Sequence, residues 1–282
     1  MRWLILADIH GNLPALEAVL LTPEARGCSR IVSLGDQINY GPQSREVLMR
    51  LQSLGALMLM GNHEERILRI HDGDLTGYNW RLLHWTHRQL RGLRVDFPMD
   101  VQEGRFFFTH GMPGDPYRHL KTTGELPPYL DALPEGVTHL FSGHSHTPWH
   151  AVHHERTAVN PGSAGFGKSQ GGARASFVVL DDSTGECTLH AAPYDVAALG
   201  RAFLRSGAVE DAPMMCRIVY ETALTGREDS VTSLMHHIAA TGKPLGLTLA
   251  DEAAWQFADA TFPWLDPIST PDFWKMTEEK LL

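Results

Sequence analysis

The sequence predicts an α/β fold on three observations: short apolar runs alternate with amphipathic stretches, polar clusters recur directly after those runs, and glycines stand beside the clusters. WLILA at 3–7 reads as the first strand, followed by a helical pattern from Leu13 to about Arg26. IVSL at 31–34 is the second strand, a helix follows around Ser44–Leu54, and ALMLM at 56–60 is the third strand. Residues 79–92 place Leu82, Trp85 and Leu90 near helical spacing and reach a helix stop at Gly92. FFFTH at 106–110 and THLFSGHSH at 138–146 then repeat the pattern of a strand running into histidines. Residues 150–192 read as mostly extended, with SFVVL and ECTLHA flanking DDSTG as a hairpin. After Pro213 the character changes to an appended, mainly helical segment. Ser230 caps a helix carrying Val231, Leu234, Met235 and Ile238 that stops at Gly242, and Asp251 starts another that ends before Pro263.

Composition narrows the functional classes. The formal net charge is −9 over 282 residues, with no long basic run, so extended nucleic acid is not an expected partner. No segment approaches the length of a membrane span, and MRWLILA lacks a basic leader, which gives a cytoplasmic protein as the default expectation. Cys28, Cys187 and Cys216 lie far apart without CxxC spacing, so neither a disulfide framework nor a zinc–thiolate site is expected. Sixteen histidines stand out, because histidine both ligates metals and carries protons near neutral pH.

Five clusters each follow an apolar run: Asp8-Ile9-His10, Gly35-Asp36, Gly61-Asn62-His63-Glu64, His110-Gly111 and Gly143-His144-Ser145-His146. In an open α/β sheet the carboxyl ends of strands converge on a common crevice, where residues distant in sequence meet. The i and i+2 spacing in Asp8-x-His10 and His144-x-His146 puts each pair on one side of an extended segment. The donors are carboxylates, imidazoles and one amide oxygen without thiolate, a mixture that suits manganese, iron, zinc, cobalt or nickel. A carboxylate shared by two such ions roughly 3.5–4 Å apart lets the pair hold a hydroxide and stabilise both the entering and the leaving oxygen at phosphorus.

Taken in this order, the clusters resemble the calcineurin-like metallophosphoesterase superfamily, with its DxH, GDxxD, GNH[DE], lone H and GHxH motifs. GDQINYGP, HWTHRQL, THGMPGDPYRHL, VNPGSAG and ARASFVVLDDSTGECTLHAAPYDV further resemble its bacterial predicted-phosphoesterase subgroup, over residues 1 to about 205. The resemblance implies a four-layer αββα sandwich of two mixed β-sheets flanked by helices. It divides the chain into a 1–210 phosphoesterase domain and a 211–282 extension that packs on it, with a lid or a dimer contact as alternatives. Asp8, His10, Asp36 and His146 are then the ligands of one metal, and Asp36, Asn62, His110 and His144 those of the second. Asp36 bridges, and His63 contacts the phosphate and protonates the leaving group. Two positions depart from the family pattern: Asn39 replaces the second aspartate, and Tyr40 the arginine that follows it.

The resulting expectation is a phosphoesterase with two divalent cations, manganese foremost, that hydrolyses a small phosphodiester or phosphomonoester by attack of a metal-bridging hydroxide. A phosphoprotein phosphatase and a catalytically weak binding scaffold on the same fold are its alternatives. Simpler readings hold elsewhere. Trp80, His84 and His87 read as helix packing, and Asn160 to Ser163 as a chain reversal after a strand. His153-His154 and His236-His237 are adjacent pairs whose side chains diverge in regular structure.

Overall fold

A computed structural model describes residues 1–70, 75–120, 122–167, 174–226 and 230–282. Its strands are β1 (Arg2–Leu6), β2 (Arg30–Ser33), β3 (Leu57–Met58), β4 (Asp100–Glu103), β5 (Phe106–Thr109), β6 (His139–Phe141), β7 (Trp149–His153), β8 (Arg156–Asn160), β9 (Arg174–Asp181) and β10 (Cys187–Pro193). The helices of the first half are α1 (Leu13–Leu21), α2 (Pro23–Arg26), α3 (Ser44–Ser53), α4 (Asn62–Leu68), α5 (Arg81–Gln89) and α6 (Pro127–Asp131). Those of the second half are α7 (Val196–Ser206), α8 (Ala208–Asp211), α9 (Pro213–Thr225), α10 (Ser230–Gly242), α11 (Glu252–Asp259) and α12 (Thr270–Leu281).

Among the described residues the strands form two five-stranded sheets, ordered β10-β9-β1-β2-β3 and β4-β5-β6-β8-β7. Each sheet contains a parallel run, β1-β2-β3 in the first and β5-β6-β8 in the second, with antiparallel strands beside it. Side-chain alternation along the strands builds the layers. Trp3, Ile5 and Ala7 point between the sheets, where they meet Val32, Leu34, Phe106, Phe108 and Phe141. Leu4 and Leu6 point the other way, into a cluster with Leu16 and Val19 of α1 and Val47 and Leu51 of α3. Leu140 and Ala158 pack against Leu130 of α6 on the far side. The result is the helix–sheet–sheet–helix sandwich that the sequence led us to expect.

Local chemistry explains where the elements depart from that expectation. The helical pattern from Leu13 to Arg26 breaks at Thr22, which is extended and whose hydroxyl caps α2 by accepting from Ala25 N–H, with Pro23 at the first helical position. The ALMLM strand pairs only through Leu57 and Met58 before the chain turns toward Asn62. No helix among the described residues is long and apolar enough to cross a membrane.

The second half builds a helical body on one flank of the sandwich. Helices α7, α9, α10, α11 and α12 share one buried cluster with Leu82 and Trp85 of α5 and with Phe166. Trp255, Trp264, Phe273 and Trp274 are buried there, whereas Phe257 is exposed. Arg217 of α9 is fully buried and tied on every side. It donates to Glu221 Oε1 (2.9 Å) and to the carbonyls of Asp266 (2.7 Å) and Ile268 (2.8 Å), and its guanidinium lies 4.1 Å from the Trp264 ring centroid.

Removing one partner of such a pair leaves an uncompensated buried charge. Arg217→Ala should therefore lower stability by about 3–5 kcal/mol in chemical denaturation. An Arg217→Met, Glu221→Leu double variant should recover only the part due to the unpaired charge, because the Asp266 and Ile268 carbonyls and the Leu265 N–H stay without side-chain partners.

Candidate functional site

The parallel strands end on one edge of the sandwich, and the chain leaves each of them through a polar loop. Asp8 and His10 follow β1, Asp36 follows β2, Asn62 and His63 follow β3, His110 follows β5, and His144 and His146 follow β6. Asp8, His10, Asp36, Asn62, His63 and His110 are buried, and His144 and His146 are partly so. The expected site residues are thus brought together. The pairs Asp8/His10 and His144/His146 do not converge through extended backbone, however. Asp8, His10, Asp36, His144 and His146 all have φ between +50° and +66°, a left-handed conformation that costs a non-glycine residue roughly 1–2 kcal/mol. Strained backbone concentrated on a few polar residues is a feature of functional sites.

Three donor groups result: Asp8 with His10 and His146, His10 with Asp36 and His63, and Asp36 with His110 and His144. Ligand atoms within each lie within 4.8 Å of one another. Asp36 Oδ2 sits 3.4 Å from His110 Nε2 and 3.8 Å from the Nε2 atoms of His10 and His63. Asn62 Oδ1 lies 3.1 Å from His110 Nε2, and His146 Nε2 lies 3.0 Å from His10 Nε2 and 3.6 Å from Asp8 Oδ1. The opposite ring nitrogens are anchored: Nδ1 of His10 bonds the Ile38 carbonyl (3.2 Å) and Nδ1 of His110 that of Leu34 (3.0 Å). Each Nδ1 donates its proton there, so Nε2 is the nitrogen turned toward the donor groups, and in neutral His10 it carries the lone pair.

The electrostatics of this cluster fit a cation. Buried Asp8 Oδ1 has no hydrogen-bond partner among the described residues, although Oδ2 accepts from His144 N–H (3.0 Å). Burial pushes the Asp8 carboxyl well above the usual carboxylate range. Burial opposes ionisation of Asp36 too, yet His110, His63 and His10 together hold it well below that range. Burial likewise works against the His110 cation, but Asp36, Asp8 and Glu64 raise it to about 9. His10 and His144 are driven toward the neutral form by burial, His144 to about 4. Buried carboxylates, imidazoles and an orphan oxygen gathered in three overlapping groups could hold divalent metal.

Close approach of the loops requires glycine at two positions. A Cβ on Gly61 would lie 2.2 Å from Asp36 Oδ1, and one on Gly35, whose φ is +111°, 2.6 Å from His110 Nδ1. His63 is oriented by the residue that departs from the family pattern: Asn39 Nδ2 lies 2.7 Å from His63 Nδ1. The Tyr40 ring packs 4.8 Å from both the His10 and the His63 ring, and burial pushes its hydroxyl up to about 12, so it stays a neutral phenol. Burial lowers the proton affinity of His63 more than Asp36 raises it.

Sequence reasoning missed Glu64. Its carboxylate accepts from the N–H groups of Asp36 (2.8 Å), Gln37 (2.8 Å), Ile38 (3.2 Å) and Gly61 (2.9 Å), locking the Asp36 loop to the start of α4. A Glu at the third position of a helix starting at Asn62 was the available signal. Burial, then Asp36, push Glu64 up to about 8, while the Asp36 and Gly61 N–H groups pull toward the ionised form. Two residues read as a chain reversal also support the site: Asn160 Nδ2 donates to the Gly143 carbonyl (2.6 Å), and Ser163 Oγ to that of Asp8 (2.7 Å). Trp80, His84 and His87 join no donor group among the described residues. His153 and His154 do not diverge: they sit at the β7–β8 turn, where φ of +53° at His154 brings the rings to 4.2 Å beside Asp131.

Comparison with known proteins agrees with this geometry. The sequence profile of the Calcineurin-like phosphoesterase superfamily domain matches residues 1–185. The chain is 27% identical over 218 residues to the uncharacterized protein MJ0912 of Methanocaldococcus jannaschii, covering 68% of this chain and 87% of that one. It is 29% identical over 195 residues to the phosphodiesterase YfcE of Escherichia coli, covering 64% and 88% respectively. The fold is similar to that of a metallophosphoesterase from Sphaerobacter thermophilus, with a TM-score of 0.68 at 24% identity over 80% of this chain and all of that one.

Glu64→Gln replaces an acceptor of four N–H bonds by an amide that has to point one N–H at another. Metal affinity, followed by titration into metal-stripped protein, should fall about 10–100-fold, as it does when partners that orient ligands are lost.

Proposed function

Because the chain belongs to the calcineurin-like phosphoesterase superfamily, we propose that it hydrolyses a small phosphomonoester or phosphodiester with the aid of two divalent cations, manganese foremost. Asp8, His10, Asp36 and His146 hold one cation in this reading, and Asp36, Asn62, His110 and His144 the other. The observation that carries it is the sharing of buried Asp36 between two donor groups beside the partnerless Asp8 oxygen. When bound, such a pair supplies Lewis acidity toward phosphoryl oxygens and a water acidified toward hydroxide.

The chain's own residues do the rest. His63 is the proton donor to the leaving oxygen: with Asn39 donating to Nδ1, its proton stands on Nε2, the nitrogen that faces Asp36. The Asp36 carboxylate is held for this work by His63 N–H on Oδ1 (2.9 Å) and by Glu64 through the loop backbone. Tyr40 and Phe166 line the cavity and limit water around His10 and His63. Residues 211–282 are in this reading an extension of the 1–210 domain that supplies an outer wall through Val219, Thr222 and Val231. A wall so close to the metal ligands favours a small substrate over a folded phosphoprotein.

The test is hydrolysis of chromogenic phosphomonoesters and phosphodiesters by metal-stripped protein before and after addition of manganese. Turnover should appear only with metal, and its absence with manganese, zinc, iron, cobalt and nickel alike overturns the hydrolase reading. Asp36→Asn should abolish turnover and lower metal content, whereas His63→Ala should slow turnover about 10²–10⁴-fold with both metals retained. Asn39→Asp gives His63 an acidic neighbour, which favours imidazolium, so the alkaline limb of the pH–rate profile should move up by about one unit or more.

A further inference from the structure

The cavity beside the donor groups has a volume of about 360 Å³, near the lower end of the range for small-molecule sites. Buried Asp36 and His63 line it together with the partly buried His144 and Arg66 of α4. Arg66 is one helical turn beyond His63, on the same face of α4, and about 6 Å along the helix axis from Asn62.

Among the described residues, aromatic rings and not carboxylates flank the guanidinium. The side chain is half-buried, with its charge 5.8 Å from the Trp80 ring centroid and 5.9 Å from that of Tyr117. Arg66 is only partly buried, beside a Tyr117 that is 45% exposed, whereas Asp36 and His63 of the same lining are buried, so the charge stands toward the rim of the cavity and not at its buried floor. Acidic residues outnumber basic ones by 33 to 24, and neighbouring Arg69 pairs with Glu65 at 2.8 Å. Arg66 nevertheless has no carboxylate partner among the described residues. Its charge is felt inside the site, where it opposes protonation of His63 and eases ionisation of Tyr40. Arginine presents a planar fork of N–H donors that matches a carboxylate or phosphate with two bonds, and an unpaired fork at the rim of a phosphate-ester cavity is a receptor for such a group.

We propose that Arg66 binds a second anionic group of the substrate, so that the cavity selects a small phosphate ester carrying a carboxylate or a further phosphate on its leaving portion. The inference rests on the phosphoesterase reading: the reacting phosphate sits over the donor groups, and the second anion reaches the rim.

Three non-hydrolysable phosphonates separate the parts of this proposal when titrated calorimetrically into manganese-loaded protein: propylphosphonate, 3-phosphonopropionate and propane-1,3-diphosphonate. Wild type should bind the two doubly anionic compounds about tenfold or more tightly than propylphosphonate. Arg66→Gln should erase that preference and leave propylphosphonate unchanged, Arg66→Lys should keep part of it, and the larger loss will mark which anion the rim takes. Equal weakening of all three compounds would overturn the proposal by placing Arg66 on the reacting phosphate. An unchanged preference in Arg66→Gln would reduce the residue to a packing role and overturn it as well. Equal binding of all three by wild type sinks the assignment of Arg66 alone, whereas binding of none sinks the phosphoesterase reading and this inference with it.

Discussion

Asp36 is a carboxylate sealed from solvent, and the site is organised around keeping it charged. One of its oxygens accepts from the backbone of His63, and the other faces the Nε2 atoms of three histidines at 3.4–3.8 Å. An isolated carboxylate in such surroundings would take up a proton, so the positive charge around it is a condition of the arrangement. The raised proton affinity of His110 and the depressed one of Asp36 are two sides of that condition. A divalent cation, as proposed above, would meet it more fully than a shared proton, since it would also satisfy Asp8 Oδ1 and the neutral rings of His10 and His144.

The fold provides that arrangement by ending its parallel strands along one edge. The first turn of α4 then places three side chains in consecutive positions: Asn62 turns its amide oxygen to His110, His63 meets Asn39, and Glu64 accepts four hydrogen bonds that fix the opposite loop. The strained loops are held by this network, which carries the cost of several left-handed residues. In the two-cation reading proposed above this rigidity matters, because donors displaced by even a small distance no longer share one cation.

The helical body formed by the second half gives this chain a cavity of its own. Its residues Val219, Thr222 and Val231 line the same space as Tyr40 and Arg66, so the apolar packing that buries Trp255 and Arg217 also fixes one wall of the site. Stability of the helical body and shape of the cavity are thereby coupled, because Val219 and Thr222 belong to α9.

The sequence by itself determined the alternation of strands and helices, the types and order of the residues that gather at the site, and the membership that those motifs signal, because each is written in local spacing and residue chemistry. It also marked Asn39 and Tyr40 as departures. It misjudged the local geometry: Asp8 and His10, like His144 and His146, meet through left-handed loops, which residue spacing does not encode. Only the tertiary structure decided that Glu64 clamps the Asp36 loop, that Asn39 faces the His63 ring, and that Arg66 shares a cavity with Val219 and Val231. Those relations join residues 24 to 165 positions apart, and they depend on which loops the packed sheets and helices bring into contact. Contacts of that kind are set by the sum of many burials across the fold, not by any motif within reach of the residues themselves.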